Sequence, residues 1–261
     1  MSCPERIICL TEETVETLYL LGEDRRIVGV SGFVVRPPEA RRKAKVSTFT
    51  DAKVDEIVAL KPDLVFTFSD IQAEITANLM RAGLEVHAFN HRTVEGIFDM
   101  IRTVGALIGT PEKSDALSRD LQANIGKARK MATALPRRPK VYFEEWDDPM
   151  ISAIGWASEL IEIAGGENIF ADRAKGQAAK DRFVTSDEVI NARPDIIIGS
   201  WCGKGFKKAD VAARPGWDRI PAVQNGHLYE IKSAIILQPG PAALTDGLAQ
   251  MQRIIKSASA Q

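Results

Sequence analysis

The sequence has few residues of the types that build metal centres or disulfide frameworks. Among 261 residues there are three histidines and three cysteines. The cysteines lie at positions 3, 9 and 202 and form no CxxC pair, so no disulfide framework is expected. No set of His, Cys and carboxylate residues has the spacing of metal ligands. The sequence therefore predicts neither a resident metal ion nor an intrinsic cofactor.

An excess of positive charge and a long apolar run are also missing. The formal net charge is −1, whereas nucleic-acid-binding proteins normally carry a basic surplus. No run reaches the ~18 apolar residues of a membrane span. The start of the chain, Met1–Arg6, lacks the basic and apolar regions of a signal peptide. As written, the sequence predicts no nucleic-acid partner, no membrane insertion and no export, although a trimmed precursor would look the same.

Strand and helix signals alternate along most of the chain. Hydrophobic residues make up 45% of the sequence, which is enough for a proper core. Alternation of this kind predicts α/β architecture with mostly parallel sheets and crossover helices. The predicted strands are Arg6–Leu10, Ile27–Val30, Asp63–Phe68, Glu85–Phe89, Val141–Glu144, Asp195–Gly199 and His227–Ile231.

An internal repeat organises this alternation. The segment Asp55–Val65 matches Asp187–Ile197, 132 positions later, and the Glu16–Gly22 pattern recurs at Glu159–Gly165. One such match could be a common helix-to-strand connector, because proline stops a helix. Two matches in the same order favour two copies of one α/β plan.

A long helical stretch separates the two copies. The residues from Val94 to Leu135 have helical character, with a break at Gly109-Thr110-Pro111. The predicted organisation is an N-terminal Rossmann-like lobe over 1–110, a rigid bridging helix over 111–136 and a C-terminal lobe over 137–261.

Aromatic residues follow several predicted strands. Ligands of open parallel sheets collect outside the carboxyl ends of the strands. A single aromatic residue there is often a core plug, but several together favour a flat, apolar ligand. The sequence therefore predicts an aromatic-walled slot between the lobes, formed by Phe33, Phe68, Trp146, Trp156 and Trp201.

An acidic run follows the first strand of the second copy. Glu144–Asp148 contains four carboxylates, which could serve acid–base catalysis or accept hydrogen bonds from amide groups of a ligand. The second interpretation is favoured, with Glu145 as the candidate. His91 at a strand end is a candidate ligand contact. Arg92 and Arg182 are the arginines placed to meet an anionic ligand.

These segments together resemble the class III substrate-binding proteins of ABC transporters, which bind cobalamin, haem or ferric siderophores. Similarity to the cobalamin-binding branch lies in Glu145–Pro149 and in Gln238–Pro241, which adds Gln238 to the candidate ligand contacts. The motifs that carry the broader resemblance are Arg6–Glu16, Leu21-Gly22 through Gly29–Ser31, Pro37-Pro38, Val54–Val65, Glu159–Phe170, Arg193–Asp195 and Arg214–Val223.

The resemblance implies a monomeric binding protein, not an enzyme. It implies a bulky metal-chelate ligand, with a corrinoid such as cobalamin first and a ferric siderophore or haem as alternatives. It also implies a periplasmic location and an ABC transporter permease as partner. Family members dock through one acidic residue per lobe. Glu74 suits the first lobe, whereas its repeat equivalent is Phe206.

Two alternatives remain open at this point. One is an enzyme on the same scaffold that uses Glu144, Glu145 or Asp147 as acid or base. The other is a cytoplasmic carrier or sensor of the ligand, which the missing signal peptide and Phe206 would suit.

Overall fold

The computed structural model describes residues 3–259, which divide into two compact units. Unit 1 comprises the chain up to His91, Glu95–Leu121 and Gln238–Pro241. Unit 2 comprises Arg92–Val94, Gln122–Leu237 and the chain from Ala242 onward. Within residues 3–259, no helix combines the length and apolarity needed to cross a membrane.

Unit 1 is built on a five-stranded sheet in which every paired strand is parallel. The strand order is β3-β2-β1-β4-β5, and the central β1 and β4 are buried along their whole length. Continuous apolar runs such as Ile7-Ile8-Cys9 suit strands covered on both faces. The strands are β1 Ile7–Cys9, β2 Ile27–Ser31, β3 Lys45–Ser47, β4 Leu64–Phe68 and β5 Val86–Phe89. The helices in this part of the chain are α1 Glu12–Leu20, α2 Val54–Ala59, α3 Ala73–Arg81, α4 Val94–Leu107 and α5 Pro111–Ala132.

Unit 2 has a second five-stranded sheet with the order β10-β9-β6-β7, and β8 pairs with β6. All its pairings are parallel except the β6–β7 hairpin. The predicted α/β class with mostly parallel sheets is therefore confirmed. The strands are β6 Lys140–Asp147, β7 Met150–Ser152, β8 Glu167–Asn168, β9 Ile196–Gly199 and β10 Leu228–Glu230. The helices are α6 Gly155–Ile163, α7 Ser186–Ala192, α8 Lys208–Ala212, α9 Pro221–Gln224, α10 Ser233–Ile236, the π-helix Ala243–Gly247 and α11 Leu248–Ser259.

The sequence repeat corresponds to a repeat in backbone conformation. Lys61 and Arg193, which end α2 and α7, both have positive φ angles, of 48° and 50°. Residues other than glycine rarely adopt a positive φ angle. Its occurrence at both repeat positions therefore supports a structural repeat. Gly22 and Gly165 also match, with φ angles of 72° and 95° after α1 and α6. Each unit thus uses the same two helix endings.

The aspartate after each repeat proline joins two strands in the same way. The Asp63 amide donates to the Arg6 carbonyl over 2.8 Å, and the Asp195 amide donates to the Lys140 carbonyl over 2.9 Å. The carboxylates of Asp63 and Asp195 accept from the backbone amides of Arg6 and Lys140 in turn. This reciprocal contact fixes the register between the first strand and the strand that follows the repeat helix.

Three short strands, β3, β7 and β8, were not predicted. At the start of α1, the Thr11 side chain donates to the Glu13 carboxylate and caps no amide of the helix. In unit 2, Trp217 is fully buried and donates its indole N–H to the Ser186 hydroxyl over 2.7 Å.

Candidate ligand-binding site

The carboxyl edge of the unit 1 sheet presents one large exposed ring. Phe33, on the loop after β2, is 59% exposed. Phe68 closes β4 but is buried, with its ring edge-on to His91 at 5.3 Å. The His91 Nε2 atom lies 2.9 Å from the Pro239 carbonyl oxygen. Of the predicted contacts in unit 1, Phe33 therefore carries most of the accessible aromatic surface.

A buried glutamine holds the loops of this edge together. The Gln72 side chain accepts from the Phe68 amide at 3.0 Å. It donates to the Phe49 carbonyl at 3.0 Å and to the Leu10 carbonyl at 3.4 Å. Three backbone segments, two that follow β1 and β3 and one at the end of β4, thus converge on one side chain. Since buried polar groups are costly unless bonded, Gln72 fixes the shape of the edge.

Two buried carboxylates lie at the start of α1. Burial raises the pKa of Glu12 to about 7, although a hydrogen bond from the Val35 amide opposes the rise. Burial likewise raises the pKa of Glu13 to about 7, opposed by the hydrogen bond from Thr11. The second carboxylate oxygen of Glu13 is buried without a hydrogen-bond partner. Both groups therefore change protonation near neutral pH.

The carboxyl edge of the unit 2 sheet carries an aromatic and charged cluster. Trp146, at the end of β6, is partly exposed. The Lys204 ammonium lies 4.2 Å from the centroid of the Trp146 ring and 5.1 Å from that of Trp201, and it pairs with the Asp147 carboxylate. Burial raises the pKa of Asp147, but the hydrogen bond from Lys204 leaves that pKa below its ordinary value. A cation held over an indole face in this way is favourable.

Glu144 is the centre of a buried hydrogen-bond network. Its carboxylate receives two bonds from Arg214, at 2.6 and 2.9 Å, and one from the Trp201 indole at 3.2 Å. Tyr142 donates its hydroxyl to the same carboxylate over 3.0 Å. Burial raises the pKa of Tyr142 well above its ordinary value, and Glu144 raises it further, so the phenol stays a donor. Glu144 is fully buried and its oxygens are occupied, which leaves it no role as an acid or base toward ligand.

The carboxylates of β6 pair with cations that are distant in sequence. Glu144 pairs with Arg214, Glu145 with Arg182 and Asp147 with Lys204. Arg182 is 2% exposed and also donates to the Ser152 carbonyl. Its guanidinium group is therefore buried, and Glu145 is the more exposed member of the pair. Three of the four carboxylates in the run that looks strongly acidic in sequence are therefore members of ion pairs.

The remaining predicted residues differ in accessibility. Trp156 is 2% exposed and donates its indole N–H to the Ile236 carbonyl over 2.8 Å. Trp201 is 7% exposed and stacks edge-on against Phe206 at 5.1 Å. Gln238 is partly exposed, in a segment that groups with unit 1. Direct ligand contact by these residues stays a prediction.

The predicted transporter contact lies on the surface of unit 1. Glu74 is exposed on the first turn of α3 and pairs with Arg81 at 3.0 Å. Its repeat equivalent Phe206 is buried against Gly199, where a Cβ atom would lie 1.8 Å from the phenylalanine ring. A docking role for Glu74 stays a prediction.

Three polar residues that organise the two carboxyl edges, Lys204, Arg214 and Gln72, were not predicted from the sequence. Lys204 follows β9 in Trp201–Gly205, a strand-end position that could have flagged it. Arg214 and Gln72 left no such signal, because their partners lie elsewhere in sequence. Among the described residues 3–259, no group of three or more His, Cys, Asp and Glu side chains could hold a metal ion.

Comparison with known proteins identifies the family. The model of a family described as periplasmic binding protein matches residues 7–235. A vitamin B12-binding protein of Vibrio parahaemolyticus is 27% identical over 92% of this chain and 86% of its own length. The uncharacterized ABC transporter substrate-binding lipoprotein YvrC of Bacillus subtilis is 24% identical, over 97% of this chain and 80% of the relative.

A solved structure confirms the fold over almost the whole chain. The periplasmic haem-binding protein RhuT from Roseiflexus sp. RS-1, in its apo form, superposes with a TM-score of 0.84 at 23% identity, covering 98% of this chain and 99% of the other. The chain belongs to the periplasmic binding protein family and is a binding protein, not an enzyme.

Proposed function

We propose that the chain binds cobalamin or a closely related corrinoid and delivers it to an ABC importer. The observation that carries the proposal is the pair of accessible rings at the two carboxyl edges, with Phe33 in unit 1 and Trp146 in unit 2. A corrin ring has a flat apolar face and amide-bearing edges, which suits aromatic contacts with hydrogen-bonding groups nearby.

The electrostatics of the unit 2 edge support a ligand without strong net charge. Glu144, Glu145 and Asp147 each pair with a cation, so three of the four carboxylates of the run are charge-balanced within unit 2. An anionic ferric siderophore would call for converging arginines that lack internal partners. Arg182 and Arg214 are both committed to carboxylates of the same unit. The name of the 27% identical relative, a vitamin B12-binding protein, points to the same ligand class.

The partner and location follow from the family. We propose that the chain works outside the cytoplasm and presents its ligand to a permease, with Glu74 as the unit 1 docking residue. Glu74 projects from the surface of α3 and pairs with Arg81, which is itself exposed. Charge reversal at Glu74 would then impair transport while leaving cyanocobalamin affinity unchanged, because the proposed ligand contacts are the Phe33 and Trp146 rings.

Calorimetric titration with cyanocobalamin tests the proposal. The wild type is compared with Phe33→Ala and Trp146→Leu, each of which removes one accessible ring. Loss of a well-placed aromatic contact costs about 2 kcal/mol, so each variant should bind about 30-fold more weakly. Matched controls are Met80→Ala and Met131→Ala, which remove side chains of similar exposure away from the strand ends (62% and 56%).

The outcomes separate ligand classes. Binding that both ring variants weaken and both methionine variants preserve supports a corrinoid site at these edges. No binding of cyanocobalamin, together with tight binding of protohaemin or of a ferric siderophore, would overturn the corrinoid assignment within the same family.

A further inference from the structure

The loop that presents Phe33 is fastened at several points. The Gly32 amide donates to the Ser47 carbonyl at 2.7 Å, and the Val34 amide donates to the Ser31 carbonyl at 3.2 Å. Val34 is 2% exposed and anchors the loop in the core, whereas the neighbouring Phe33 points outward. The backbone on both sides of Phe33, at Gly32 and at Val34, is therefore held by β2 and β3.

From Val35 onward, the loop is also held by α1. The Val35 amide donates to the Glu12 carboxylate over 2.8 Å. Glu12 is the first residue of α1 and is only 5% exposed, so the bond is shielded from water. One turn further along, Glu16 pairs with Arg36 at 3.1 Å. Helix α1 thus carries two acidic side chains that hold the same loop, and the buried one bonds directly to its backbone.

We propose that Glu12 is a positioning residue, which holds the Val35 amide so that the loop presents Phe33 to ligand. The expected effect on ligand affinity rests on the proposed function, in which Phe33 contacts the ligand. The effect of Glu12 on the loop itself is measured without ligand. Burial of a carboxylate costs free energy unless the group is hydrogen-bonded. The Oε1 atom of Glu12 meets this requirement by accepting the hydrogen bond from the Val35 amide.

Because Glu12 titrates, the stability of the loop should depend on pH, which a residue with a merely structural role would not cause. The titratable groups facing Glu12 are Glu13 and Glu16 from its own helix, Arg36 from the loop and Lys45 from β3. Hydrogen bonding by Val35 favours the ionised form, but burial favours the protonated form and outweighs it. Opening of the loop hydrates Glu12 and lowers its pKa from about 7 towards the ordinary value, so by linkage the loop should be held less firmly at pH 8 than at pH 6.

Amide hydrogen exchange at Val35, corrected for the intrinsic effect of pH, tests the positioning role. Glu12→Ala should speed exchange at Val35 by roughly three- to tenfold, the equivalent of one typical net hydrogen bond. Glu12→Gln keeps an oxygen acceptor and should retain most of the protection, but should lose the fall in protection between pH 6 and pH 8. Amides of β1 serve as the internal reference, and Glu95→Gln removes an exposed carboxylate of unit 1 as the matched control.

Faster exchange at Val35 in Glu12→Ala, rescue by Glu12→Gln and loss of the pH response in Glu12→Gln together support the proposal. Equal exchange at Val35 in all three proteins, or a parallel change in the β1 amides, would overturn it. Cyanocobalamin titration then measures the consequence, with an expected loss of about three- to tenfold in affinity for Glu12→Ala. A wild type that binds no corrinoid refutes the proposed function, while the exchange result still decides the role of Glu12.

Discussion

Glu13 should make unit 1 less stable as the pH rises, the reverse of ordinary acid denaturation. This carboxyl group is fully buried, and one of its oxygens has no hydrogen-bond partner. Burial raises its pKa from 4.5 to about 7 in the folded protein. The folded state therefore binds the proton more tightly than the unfolded state. The stabilisation is fully present below pH 4.5 and is lost as the pH rises through 7.

The size of the effect follows from linkage. Each pH unit between the two pKa values is worth about 1.4 kcal/mol, so the total contribution of Glu13 is about 3 kcal/mol. Between pH 5 and pH 8 the wild type should lose roughly 2–3 kcal/mol of unfolding free energy through this group. Glu13→Gln cannot ionise, and it should remove that pH dependence. A buried amide adds a constant offset, which cancels when the slopes are compared.

The assay must report on unit 1. All four tryptophans lie in unit 2, so indole emission is unsuitable. Urea-dependent exchange of the slowest β1 and β4 amides gives the opening free energy of unit 1 at each pH. Glu95→Gln, an exposed carboxylate of the same unit, is the control and should keep the wild-type slope. An equal slope in Glu13→Gln and wild type would show that Glu13 does not titrate as the structure implies.

Two further predictions concern unit 2, and tryptophan emission in urea measures both. Arg214→Met should destabilise by about 3–5 kcal/mol because it leaves the fully buried Glu144 charge unpaired, and adding Glu144→Gln should recover part of the loss. Gly199→Ala should cost about 1–3 kcal/mol because its Cβ atom would lie 1.8 Å from the Phe206 ring. Gly126→Ala, where nothing lies within 4 Å of the added carbon, is its control and should not destabilise. A mild effect of Arg214→Met, or equal effects of the two alanine variants, would contradict these contacts.

The sequence predicted those parts of the fold that depend on local patterns. The helix, basic residue, Pro-Asp and strand unit recurs at one offset, and its two copies adopt the same left-handed conformation at Lys61 and Arg193. Alternating strand and helix signals also predicted the parallel sheets. Such features could be predicted because proline, glycine and apolar periodicity act on neighbouring residues.

Charge pairing could not be predicted in the same way. Glu144–Asp148 reads as an acidic surface, but Glu145 meets Arg182 and Glu144 meets Arg214 only in the folded chain. These partners are 37 and 70 residues away, so no local pattern connects them. Burial of Trp156 and Trp201 was missed for the same reason, since ring exposure depends on tertiary packing.

The hydrogen bond between Glu12 and the Val35 amide could not be predicted from the sequence either. Two glutamates at a helix start look like favourable partners of the helix dipole and nothing more. Their burial, and the bond across to the loop of Phe33, arise because β1 and β2 are neighbours in the sheet. The positions of candidate contacts could be predicted, whereas their partners and accessibility required the structure.

Native mass spectrometry of the purified chain, mixed with equal amounts of cyanocobalamin, protohaemin and a ferric siderophore, decides which ligand class the chain binds. We expect one dominant species, a 1:1 complex with the corrinoid, which should be weaker in Phe33→Ala and Trp146→Leu. A spectrum that contains only free protein, or in which the haem or siderophore complex dominates, would contradict corrinoid binding.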